Sequence, residues 1–97
     1  MDVIGYTKLQ DFGTRHPPAR SPLQQWYQAV QSVAWGQFAD VRKTYPSADR
    51  VGGCYVFNLG GNKYRLIASI DFPGDRIYVR EVLTHAEYDK HQWRRRR

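Results

Sequence analysis

The chain has 97 residues, 41% hydrophobic and 14% aromatic, with a formal net charge of +6 and an isoelectric point near 9.8. That length suits one small domain spanning residues 1–97, and that apolar share excludes a disordered polyelectrolyte. A single cysteine, Cys54, excludes an internal disulfide, no apolar run approaches the ~20 residues of a membrane helix, and His16, His85, His91 and Cys54 lack metal-ligand spacing, so neither metal nor cofactor is expected.

The N-terminus has no secretory pattern, which makes the cytoplasm the expected compartment. Excess positive charge points to a polyanionic partner, against the plainer reading that it serves solubility alone.

Val3 and Ile4 read as a short edge strand. Thr7-Lys8-Leu9-Gln10 has the T-x-x-Q form of a capping box and opens a helix carrying Leu9 and Phe12, which His16-Pro17-Pro18 stops. Ser21-Pro22-Leu23-Gln24 is a stronger start, with a capping hydroxyl and a proline at the first helical position. Leu23, Trp26, Tyr27, Val30 and Ala34 then recur on one helical face, which reads as core and not as a site. Gly36 breaks the pattern, and residues 38–45 form a further short helix or turn ended by Pro46.

Beyond Pro46 the period becomes two. Residues 54–59, 63–72 and 76–83 are rich in β-branched and aromatic side chains, separated by Gly60-Gly61 and by Pro73-Gly74-Asp75. They predict a three-stranded antiparallel meander, with Gly60-Gly61 as a two-residue hairpin loop. Under that register Asn58 faces Lys63 and Val56 faces Arg65, and Tyr78, Arg80 and Val82 join them on one side of the sheet. Tyr55, Phe57, Leu59, Tyr64, Leu66, Ala68, Ile70, Phe72, Ile77, Val79 and Leu83 take the other side, under the helices. The cations Lys63, Arg65 and Arg80, with Asn58 and Tyr78, therefore form a candidate anion-binding face; scattered solvated charge is the competing reading.

Thr84-His85-Ala86-Glu87 is another capping box, so a last helix begins at His85, with Tyr88 one turn on and Asp89 beside it. A histidine at such a corner can exchange protons near neutrality or simply pack there. Trp93 reads as a packing anchor, and residues 94–97 as a solvated basic tail that adds attraction to phosphates.

The strings YVFNLGGNKYRLIASIDF and YVREVLTHAEYDKHQW, with SADRVGGCY and the tryptophan-bearing helix before them, closely resemble the HigB family of type II toxin-antitoxin toxins. That family sits within the RelE-like ribosome-dependent mRNA endonucleases, and the likeness covers nearly the whole chain. It implies an α+β fold of RelE/ParE type, with N-terminal helices on one face of a small antiparallel sheet, the RNA site on the other, and a short C-terminal helix. It also implies a metal-independent RNase that cuts mRNA in the ribosomal A site and is silenced by a HigA-type helix-turn-helix antitoxin.

Carried over by position, the family's basic strand residues and histidine-tyrosine end fall on Arg65, Arg80, His85 and Tyr88, with Lys63 added from this sequence. Asn58, Tyr78 and Lys90 extend the RNA-binding set. No glutamate matches the carboxylate base of some relatives. Arg65 and Arg80 suit a phosphorane, Lys63 or His85 the proton transfers, and Tyr88 a displaced base. Two further readings stay open on the residues: a nonenzymatic RNA-binding module, and a gyrase-directed inhibitor of ParE type.

Overall fold

A computed structural model describes residues 1–90. The sequence-based readings of His91, Trp93 and the terminal arginines fall outside the described residues. In chain order the elements are β1 (Asp2–Ile4), α1 (Tyr6–Arg15), a 3-10 turn (Pro17–Ala19), α2 (Arg20–Gln31), α3 (Phe38–Thr44), β2 (Asp49–Val51), β3 (Cys54–Leu59), β4 (Tyr64–Asp71), β5 (Arg76–Thr84) and α4 (His85–Asp89). The sheet runs β1-β5-β4-β3-β2; β1 is parallel to β5 and the other pairs are antiparallel. This is the expected α+β architecture, enlarged by the short strand β2.

Strand alternation sends Phe57, Leu59, Tyr64, Leu66, Ile77 and Val79 into one core with Leu9 and Phe12 of α1 and Leu23, Trp26 and Val30 of α2. Trp26 meets Phe57 edge-on at 5.5 Å between ring centroids, and Trp35 stacks on the same ring at 6.2 Å. Phe57 is completely buried, worth roughly 1.5–3 kcal/mol relative to exposure. The opposite sheet face carries a smaller cluster of Cys54, Val56, Ile67 and Leu83, against which Val51 and Tyr88 pack.

Four local expectations need correction. Helix α1 starts one residue before Thr7, after Gly5 at φ 99°, and has no side-chain cap; a left-handed glycine turns the chain off β1 instead. Helix α2 begins at Arg20 and also lacks a side-chain cap, because the 3-10 turn runs directly into it and leaves Ser21 inside.

The β3–β4 connection is longer than two residues: Leu59 pairs with Tyr64, and Gly60, Gly61 and Asn62 all take positive φ, of 61°, 63° and 75°. Lys63 thus sits in the turn, and Arg65 faces Asn58 in place of Val56. The shift is two residues, so every side chain keeps its face.

In β5 the register slips between the pairs Ile67–Glu81 and Ala68–Val79, leaving Arg80 as a bulged extra residue. Past that point the faces exchange: Val82 joins the helix-side core and Leu83 the opposite cluster, the reverse of the expected assignment.

Candidate functional site

Away from α1 and α2, the sheet holds a cleft of about 290 Å³ lined by Arg42, Ser47, Ala48, Asp49, Val56, Asn58, Arg65 and Tyr88. Asn58 and Arg65 face each other across β3 and β4. Tyr88 arrives from α4, whose start is fixed by a complete capping box: Glu87 N donates to Thr84 Oγ1 at 3.2 Å, and Thr84 N donates to Glu87 Oε1 at 2.9 Å. The far wall is the segment entering β2, beside Arg42 of α3.

Arg65 is 7% exposed, the one buried charged side chain among the described residues. Its Nη1 donates to the carbonyls of Asn62 at 3.0 Å and Tyr64 at 3.2 Å, and its guanidinium carbon lies 5.5 Å from the centre of the Tyr88 ring. The turn carbonyls and the aromatic face offset part of the cost of burying a cation and fix the plane of the fork. Nε and Nη2 have no protein partner among the described residues, so two donor edges remain for an oxyanion.

The other expected site residues form two further groups. Lys63 is exposed in the turn, and its carbonyl accepts His85 N at 2.9 Å, which ties the turn to the first residue of α4. The His85 imidazole does not line the cleft. It is 47% exposed, with Nδ1 2.9 Å from Asp89 Oδ2. A carboxylate only accepts, so Nδ1 carries the hydrogen and Nε2 is left to exchange protons.

Farther along the sheet, Arg80 Nε donates to Ser69 Oγ at 3.0 Å, and its guanidinium lies 5.5 Å from the Tyr78 ring centre. Ser69 is four residues from Arg65 on β4, a separation of about 13 Å at 3.3 Å per residue. Arg80 and Tyr78 therefore make a second cationic point outside the cleft, and Arg80 also lines a cavity with Lys8, Asp11 and Arg15 of α1. Lys90 is exposed at the end of α4.

A protein-family profile matches residues 19–91, described as the RelE-like toxic component of a toxin-antitoxin system. The chain belongs to the HigB toxin family. Among curated HigB relatives, the mRNA interferase toxin HigB of Escherichia coli K12 is 30% identical over 92 residues, covering 92% of this chain and 88% of that protein. An mRNA interferase HigB of Shigella flexneri matches to the same extent. Another from E. coli O6:H1 is 28% identical over 93 residues, covering 93% and 90%.

Within this HigB chain, the sequence reading had not singled out Arg42, Ser47 or Asp49 as cleft residues. Asp49 reaches the cleft because β2 pairs with β3 and sets it opposite Val56. The segment Ser47-Ala48-Asp49-Arg50-Val51 offers no alternation long enough to announce a strand, so only the pairing reveals which way the carboxylate faces.

Proposed function

We propose that this HigB toxin is an mRNA interferase, cutting mRNA by attack of a ribose 2′-hydroxyl on the adjacent phosphorus. The observation that carries the reading is Arg65: a nearly buried guanidinium fixed by turn carbonyls and by Tyr88, with donors unspent on the cleft side. Such a preorganised fork favours the dianionic phosphorane over the ground-state diester, and losing one donor group of this kind costs about 10²- to 10³-fold in rate.

Tyr88 stacks on a base unstacked from the message and keeps the Arg65 fork in plane. Asn58 supplies an amide to the ribose or base edge. Lys63 in the turn and Lys90 at the end of α4 attract phosphates, while Arg80 with Tyr78 engages the strand farther along. His85, oriented by Asp89, gives a proton to the departing 5′-oxygen. The toxin meets its message in the ribosomal A site, in the cytoplasm. A cognate helix-turn-helix antitoxin of HigA type is the partner that silences it.

The test is to induce the toxin in bacteria and sequence mRNA ends within minutes. New 5′-hydroxyl ends inside translated frames, blocked by translation arrest, are expected. Intact mRNA alongside halted DNA replication would instead support the gyrase-directed reading, and RNA binding without cutting would support a nonenzymatic module.

A further inference from the structure

The cleft holds a carboxylate that phosphate binding does not explain. Asp49 lines the same cavity as Arg42, Arg65, Asn58 and Tyr88. Its Oδ1 accepts the backbone N–H of Arg50 at 2.9 Å, and Oδ2 has no partner among the described residues. A negative charge in a site that receives a polyanion weakens binding unless it meets a proton donor, because like charges at short range repel. The backbone of a message offers one recurring neutral donor, the ribose 2′-hydroxyl.

Register supplies the spacing. Asp49 faces Val56 on β3, and Arg65 faces Asn58, one strand farther and two residues along. With strands about 4.8 Å apart and 3.3 Å per residue, the two Cα atoms are about 12 Å apart. The Arg65 guanidinium is held on the turn side, by the carbonyls of Asn62 and Tyr64, and both groups line one cleft of about 290 Å³, so that length of cleft is open to a ribose with its 3′-phosphate between the carboxylate and the guanidinium.

We propose that Asp49 is the general base of the reaction, an assignment that rests on the mRNA interferase reading above. The Asp49 carboxylate takes the 2′-hydroxyl proton while O2′ forms its bond to phosphorus. The P–O5′ bond breaks as His85 gives its proton to O5′. The products are a 2′,3′-cyclic phosphate and a 5′-hydroxyl, and solvent returns the proton from Asp49 to His85. The charged and titratable groups that line the cleft with Asp49 are Arg42 from α3, Arg65 from β4 and Tyr88 from α4.

The experiment compares wild type, Asp49→Asn and Asp49→Glu in a purified translating system, measuring single-turnover mRNA cleavage across pH, with melting curves as a check on folding. Asparagine preserves the acceptor to Arg50 N, and Asp49 is exposed, so the fold is retained. Asp49→Asn is expected to cut about 10²- to 10⁴-fold more slowly and to lose the acidic limb of the rate profile, while Asp49→Glu keeps that limb. Ribosome binding should be unchanged. Wild-type rate and profile in Asp49→Asn overturn the assignment while leaving the interferase reading intact. A wild-type toxin that leaves mRNA uncut overturns that reading, and this inference with it.

Discussion

Replacing Arg65 by alanine separates what the guanidinium does for the fold from what it does for chemistry. The change deletes two charge-assisted bonds, to the carbonyls of Asn62 and Tyr64, and the contact with Tyr88. Water takes over at Asn62, which is exposed, so the stability loss is that of one charged hydrogen bond and one aromatic contact, about 2 kcal/mol. For a domain of this size that lowers Tm by roughly 8–16 °C.

A domain starting from only ~5 kcal/mol keeps about 3, which is more than ~99% folded at room temperature. Unfolding then removes about 1% of activity, whereas loss of phosphorane stabilisation removes roughly 99% or more. Circular-dichroism melts and single-turnover cleavage at 20 °C measure both. Arg65→Lys, which retains charge without the planar fork, should recover part of the rate and little of the packing. A folded Arg65→Ala protein that cuts mRNA at the wild-type rate would refute the clamp.

Thr84→Ala and Glu87→Ala should each cost about 1 kcal/mol at the α4 cap, and their effects should not add, since the two side chains cap each other's backbone; amide exchange over His85–Asp89 reads this. Gly60→Ala places a Cβ 2.7 Å from Tyr64 Cδ2 at a φ of 61°, and a loss of at least about 1 kcal/mol in denaturant melts is expected. Burial raises the pKa of Tyr45 above its ordinary value of 10.0. Its folded pKa exceeds the unfolded one, so its contribution is full below pH 10 and is lost as pH rises through the folded pKa; Tyr45→Phe should flatten that alkaline decline in Tm.

Much of this was legible in the chain. The alternation from Cys54 to Leu59 and the glycine pair fixed the meander, and T-x-x-E at Thr84 located α4. The sheet-face assignment of Arg65 survived a mistaken turn length because the error was even. Neither the left-handed run through Asn62 nor the extra residue at Arg80 leaves a periodic trace, so turn length and the far half of β5 escaped. Burial of Arg65 depends on carbonyls and an aromatic ring brought from separate elements, and Asp49 acquires its direction only through strand pairing. Periodicity reports which residues share a face; it does not report what stands across from them.

The surplus residue in β5 gives that strand two reading frames joined at one point. Upstream, the odd-numbered Ile77 and Val79 serve the interior; downstream, the even-numbered Val82 does. Removing either Arg80 or Glu81, the two residues between the inward Val79 and Val82, would splice the two frames into one regular ribbon, whereas losing a residue farther out in β5 would invert part of the strand. The strand's length is therefore negotiable at this pair and fixed on either side of it.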